Sequence, residues 1–167
     1  MRNQWMVLGL WLTIAVSGCA SNTLQNYQAK DQDEARVVSA LMRIPNGINV
    51  RSVELLLQAY ADDVYVANFQ RYLGVAGSSA PLSLSKADLR VVYTQVFRSA
   101  KDVSMDVKNV RLTMVGDRAT VEARTEMLFK VEGGRGEKKT GEVYRNDVTW
   151  RLRRTPAGWK IVEEIWQ

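Results

Sequence analysis

The apolar positions of this chain fall into three regimes that follow one another in order. Residues 5–16 form a nearly unbroken apolar run from Trp5 to Val16. From about Asp33 the spacing becomes helical. Val37, Val38, Leu41 and Met42 share one side, and Val53, Leu56, Leu57 and Tyr60 recur at i, i+3, i+4 and i+7. The pattern predicts a helix stopped by the turn signal Pro45-Asn46-Gly47. It predicts a second helix from about Val50 to Ala61, ended by Asp62-Asp63. Val64 to Phe69, rich in Val, Tyr and Phe, reads as a strand, and Gly74 to Pro81 as a loop. Ser85 opens a third helix: Ser85-Lys86-Ala87-Asp88 is close to a capping box, and Leu89, Val92, Tyr93, Val96 and Phe97 form its buried side.

From Val103 the period is two. Val110, Leu112 and Met114 alternate with Arg111 and Thr113. After the turn Gly116-Asp117, Ala119, Val121, Ala123, Thr125, Met127, Phe129 and Val131 alternate with Thr120, Glu122, Arg124, Glu126 and Lys130. Tyr144, Val148, Trp150 and Leu152 make a third alternating set, and Trp159 to Trp166 the last strand, with turns at Glu132 to Gly136 and at Thr155 to Gly158. Such alternation marks strands with one face buried and the other in water. Helices followed by long antiparallel strands give an α+β fold, the helices gathered on one side of the sheet.

The first apolar run is about a dozen residues long, preceded by Arg2 and followed by small residues. A helix crossing the hydrocarbon core needs about twenty, so the run reads as a secretory signal segment rather than a permanent span. Its end, Val16-Ser17-Gly18-Cys19, resembles the lipobox of bacterial lipoproteins. The resemblance implies removal of residues 1–18 and acylation of Cys19 on both its sulfur and its new amino group. Several acyl chains hold a protein to a membrane stably where one does so marginally. Ala20-Ser21 resembles the pattern of outer-membrane lipoproteins. The expected address is therefore the cell envelope, at the outer membrane facing the periplasm. Residues 19–31 are expected to be a lipidated polar tether reaching about 40 Å when extended, and residues 32–167 the folded domain.

Composition narrows the chemistry. The chain has no histidine and a single cysteine, Cys19. Histidine acid/base catalysis, histidine-activated serine nucleophiles and histidine or thiolate metal sites are thereby removed, and no metal or other cofactor is expected. An internal disulfide needs a second cysteine. The charge of +5 over the whole chain is mild and mixed, unlike the clustered basic face of a nucleic-acid binder. Nucleic acid is not an expected partner, whereas weak attraction to anionic head groups is.

Four strings in order are similar to the nuclear transport factor 2-like superfamily, with its SnoaL-like and ketosteroid-isomerase-like members. They are Leu57 to Val64, Ser85 to Phe97, Val115 to Val121, and Gly158 to Val162. The resemblance implies a curved antiparallel sheet wrapped around N-terminal helices into a cone. In some members the cone holds a small apolar ligand, and in others it is filled and the outer sheet face binds a partner, often a second copy. The histidine of the dehydratase-like members is absent, and no acid stands at Thr125 or Met127, where an inward catalytic group would be looked for.

Candidate lining residues of the cone are Tyr60, Tyr65, Tyr93, Met127, Tyr144 and Glu163. Tyrosine suits an apolar pocket with one polar contact, but plain core packing is the preferred reading of the tyrosines. Of the neighbours Glu163 and Glu164, strand alternation turns one inward, and a buried carboxylate is costly unless partnered. Asp62 and Asp63 read as structural, bonding local groups. Arg145, Arg151 and Arg153 with Glu122, Arg124 and Glu126 read as a solvated outer face. Trp150, Trp159 and Trp166 read as packing. Gly133-Gly134-Arg135-Gly136 lacks the lysine and helix of a phosphate loop. No catalytic residue is assigned. The expectation is a non-catalytic binding or assembly module near the membrane, whose partner is an envelope protein, a small apolar ligand or a second copy. The alternative is a small-molecule binder or isomerase/lyase-like enzyme using Asp, Glu and Tyr in the cone.

Overall fold

A computed structural model describes residues 22–69, 83–131 and 141–167. The signal segment with Cys19, the loop at Gly74 to Pro81 and the glycine-rich tip at Glu132 to Gly136 lie outside the described residues. The chain is α+β. Helices α1 (Gln32–Asn49) and α2 (Val53–Leu57) come first, then strands β1 (Tyr60–Ala67) and β2 (Ser83–Leu84). Helix α3 (Lys86–Ser99) leads into four long strands: β3 (Ala100–Val115), β4 (Arg118–Val131), β5 (Gly141–Thr155) and β6 (Gly158–Trp166). All six strands form one curved sheet in the order β2-β1-β6-β5-β4-β3.

The long meander follows the period-two pattern closely. Val121, Met127, Val148, Trp150, Leu152 and Ile161 are buried on its inner face, where Val37, Leu41, Ile44 and Ile48 of α1 and Leu89 and Tyr93 of α3 join the same core. The outer face carries cross-strand charges. Arg124 grips the Asp147 carboxylate with two hydrogen bonds of 2.8 and 3.0 Å, and Glu126 lies between Lys108 and Arg145. The Ser85 capping box is complete: each of Ser85 and Asp88 accepts the other's backbone N–H.

Four expectations need correction. First, Pro45-Asn46-Gly47 does not stop α1, which runs on to Asn49. Proline inside a helix costs about 3 kcal/mol, but here the continued turn buries Ile44, Pro45 and Ile48. Gly47 serves closeness rather than a turn, since a Cβ on it would lie 2.7 Å from the backbone N and the Cβ of Leu56. Second, the helix expected from Val50 to Ala61 shrinks to five residues capped by Ser52. The chain is already extended at Tyr60, so Asp62 and Asp63 lie within β1.

Third, the sheet is not wholly antiparallel, because β1 runs parallel to β6. The long connection through α3 and β3 to β5 returns β6 alongside β1 in the same direction. Fourth, the tether is shorter than expected. From Asn22 it belongs to the domain. Leu24 is 1 % exposed within the core. Thr23 bridges to Lys108, and Asn22 exchanges hydrogen bonds with the backbone of Val110. Glu34, itself buried, accepts from the Lys30 backbone at 2.9 Å and closes the strap onto α1.

These contacts also protect β3, the edge strand. An exposed edge offers unpaired backbone groups to other chains. Here Asn49 accepts from the Met105 N–H at 2.8 Å, and the Asn22 strap occupies Val110.

Candidate functional site

The sequence leaves open which of Glu163 and Glu164 points inward, and a bulge decides it. Trp159 and Ile161 face the core, so strict alternation would turn Glu163 inward as well. Between the pairs Leu152–Ile161 and Arg151–Glu163 the register shifts. One additional residue in a strand reverses the face of everything after it. Val162 and Glu163 are therefore partly exposed, and Glu164 and Trp166 face inward. β1 is irregular at the same level, between Tyr60 and Tyr65, where it pairs with this part of β6.

Glu164 is completely enclosed, at 0 % exposure. Its carboxyl group receives three hydrogen bonds. The Tyr60 hydroxyl and the Trp150 indole N–H donate to Oε2 at 2.7 and 2.8 Å. The Trp166 indole N–H donates to Oε1 at 2.7 Å. The donors come from β1, β5 and β6, so one side chain ties three adjacent strands of the sheet together from inside. All three donors are neutral. Burial pushes the Glu164 carboxyl above the usual carboxylate range, against the pull of the three hydrogen bonds. The cluster is a carboxyl group walled by aromatic side chains that accepts from three strands of the sheet.

The other candidate lining residues are placed as follows. Tyr60 is buried and belongs to this cluster. Tyr93 is buried between Phe69 and Phe97, with ring centres 6.0 and 5.8 Å away. Met127 is buried. Tyr144 is half-buried, edge-on to Phe129. The expectation is corrected for Tyr65 and Glu163. Tyr65 is half exposed, because Val64 and Val66 on either side of it share the inner face with Tyr60. Glu163 lies on the outer face, ion-paired with Arg151. The residues missed at the sequence level are Glu164 and its two indole donors. Trp150 and Trp166 do pack the core, and they also carry the hydrogen bonds that keep Glu164 there.

Asp62 and Asp63 diverge into separate pairs. Asp62 meets Lys86 at 2.8 Å, which holds its carboxyl below the usual range. Asp63 meets Arg153, with both oxygens at 3.1 Å. They rim an open surface groove of about 520 Å³, with Lys160 and Thr155 on its other side. Burial lowers the Lys160 ammonium, helped by nearby Arg43 and Lys86. A second open groove of about 570 Å³ runs from Asn22 over Arg111 and Glu122 to Gln167. Among the described residues, no group of three or more Asp, Glu, His or Cys is placed to hold a metal ion. None of the described helices is long and apolar enough to cross a membrane.

Comparison with known proteins matches residues 53–164 to the family model for the SnoaL-like domain. No curated protein matches the chain. Solved structures do. A protein from Kribbella flavida is 16% identical, with a TM-score of 0.66, covering 81% of this chain and 89% of its own. An NTF2-like protein with a cystatin-like fold from Novosphingobium aromaticivorans is 18% identical, with a TM-score of 0.59 and 80% of each chain covered. A ketosteroid isomerase-like protein from Erwinia carotovora atroseptica is 20% identical, with a TM-score of 0.59, covering 81% of this chain and 95% of that one. At these identities the likeness is one of fold.

Proposed function

The chain belongs to the SnoaL-like domain family, and from the lipobox-like end of its first apolar run and the enclosure of Glu164 we propose that it is an envelope lipoprotein carrying a non-catalytic binding or assembly module. Acyl groups on Cys19 anchor it at the outer membrane, facing the periplasm. Its partner is another envelope protein or a second copy, met through the outer surface of the domain.

The observation that carries the non-catalytic half is the state of Glu164. An acid/base group must reach a substrate proton directly or through one water. Glu164, the one fully buried acid in the described cone, is enclosed by Tyr60, Trp150 and Trp166 and already accepts from all three. Tyr93, Met105 and Met127 are buried in the domain's hydrophobic core. Fold membership does not carry chemistry with it, and with its one fully enclosed acid already bonded the domain meets other molecules through its outer surface.

A second reading, an isomerase/lyase-like enzyme, is favoured by one observation: Tyr60 and Glu164 form a buried phenol–acid pair 2.7 Å apart, in a fold shared with a protein named ketosteroid isomerase-like. The two readings separate on the purified domain. Turnover of a hydroxy-ketone or ketone substrate that disappears in Glu164→Gln, with the fold retained, overturns the non-catalytic reading. For the anchor, Cys19→Ser is expected to move the protein from the membrane fraction to the soluble fraction. The wild-type amino-terminal peptide is expected to show the added mass of its acyl chains. Unchanged fractionation and an unmodified peptide mass overturn it.

A further inference from the structure

The strap that begins at Asn22 leaves very little chain between the fold and the residue that would carry the lipid. Asn22 is bonded to Val110 in both directions: its side chain donates to the Val110 carbonyl at 2.9 Å, and its carbonyl accepts the Val110 N–H at 3.4 Å. Thr23 continues the pairing with Lys108, and Leu24 is locked in the core. Three peptide links separate Cys19 from Asn22. Fully extended they span about 11 Å, whereas the head-group layer on each side of a bilayer is about 5–8 Å thick. Acylation at Cys19 therefore leaves Asn22 within a few ångströms of the outer limit of the head groups.

Resting on the anchor reading, we infer that the face of the domain around Asn22 lies directly on the lipid surface, in one fixed orientation. The face is the groove that starts at Asn22 and whose charged lining is Arg111, Glu122, Arg124 and Asp147. Its occupant is the head-group layer of the bilayer that holds the acyl chains. The chemistry suits it. Asn22, Asn109, Thr149 and Gln167 supply neutral hydrogen-bonding groups. Arg111 is exposed at the bulge of β3 and makes no ion pair among the described residues. It stands opposite Glu122 in the β3–β4 register, and Arg124 is held by Asp147, so the groove's two cations and two anions match the paired charges of a zwitterionic head-group layer. Asn109 sits at a positive φ of 55°, a conformation asparagine tolerates better than most residues, and this turns the strand at the point where the strap meets it. The opposite end of β3 points away. Asp102 lies eight residues back from Val110, about 26 Å along an extended strand.

The test uses the full-length lipidated protein in phospholipid vesicles. With Cys19 blocked by its acyl chain, a single cysteine introduced by Arg111→Cys or by Asp102→Cys takes a fluorophore specifically. A quencher is attached to the lipid head groups. The expected result is quenching several-fold stronger at position 111 than at position 102. Insertion of twelve Gly/Ser residues between Ser21 and Asn22 is expected to bring position 111 down to the level of position 102. A vesicle-bound protein quenched equally at both positions, or one whose pattern survives the insertion, overturns the inference while leaving the anchor intact. A protein recovered in the aqueous phase with an unmodified Cys19 overturns the anchor reading and this inference with it.

Discussion

At the scale of single residues, Glu164 decides how the interior is to be understood. A carboxylate has room for three donors, but an amide does not. In Glu164→Gln the amide nitrogen, at whichever oxygen position it takes, must face an indole N–H that can only offer another hydrogen. Leaving one buried donor unmet costs about 1–3 kcal/mol, so the variant is expected to be less stable by that order in urea denaturation. The pH dependence has a definite sign. Burial raises the folded-state pKa of Glu164 above its unfolded value, so the folded chain binds the proton more tightly. Its contribution is fully present below the ordinary glutamate pKa and declines as pH rises through the folded value. Glutamine has no such decline. The stability gap between wild type and Glu164→Gln is therefore expected to narrow as pH rises from about 4, the ordinary glutamate range. A gap that widens over that range contradicts the assignment. The exposed carboxylates held low by cations, such as Asp62 and Asp147, are common to both proteins and cancel in the difference.

At the scale of elements, α1 shows how tertiary packing overrides local punctuation. Pro45 and Gly47 both read as helix breakers, yet α1 continues through them because α2 packs against that turn. Gly47 is where the two helices touch. A glycine-to-alanine change within a helix ordinarily stabilises by up to about 1 kcal/mol. Here the new Cβ would lie 2.7–2.8 Å from Leu56 backbone and side-chain atoms, which backbone cannot easily yield. Gly47→Ala is expected to destabilise by about 1–3 kcal/mol, the usual cost of overpacking, and a rise in melting temperature would show the helices free to separate. The opposite case is α3. Its start at Ser85 was legible because capping is local: Ser85 and Asp88 need only each other. The long strands were legible for a similar reason, since their alternation is set by a sheet with a single buried face.

At the scale of the whole molecule, the strap from Asn22 to Asp31 joins the amino-terminal end of the described chain to the core. Leu24 is its anchor. Leu24→Ala is expected to lower the unfolding free energy by about 2 kcal/mol or more, as buried leucines generally do. Amide exchange at Val110, whose N–H is held by Asn22, should accelerate more than at Val121 in the interior of the same sheet. Equal acceleration at both sites would indicate global loosening instead of release of the strap. The same strap takes up most of the stretch that the sequence predicts to be a free tether. A short polar stretch with one leucine carries no sequence signal that it is docked, because its partners Lys108, Val110 and Glu34 belong to other elements.

The sequence by itself determined the α+β order, the capping box, the inner and outer faces of β4 and β5, and the absence of histidine from the given chain. Each of these depends on residue type or on contacts a few positions apart. The tertiary structure alone decided that β1 runs parallel to β6, that α1 passes through Pro45, that Leu24 belongs to the core, and that Glu164 rather than Glu163 is enclosed. In each case the deciding interaction joins residues distant in the chain, and for Glu164 a one-residue shift in strand register exchanges inside for outside. A periodic pattern states which residues share a face only until the register slips, and the slip is set by the neighbouring strand.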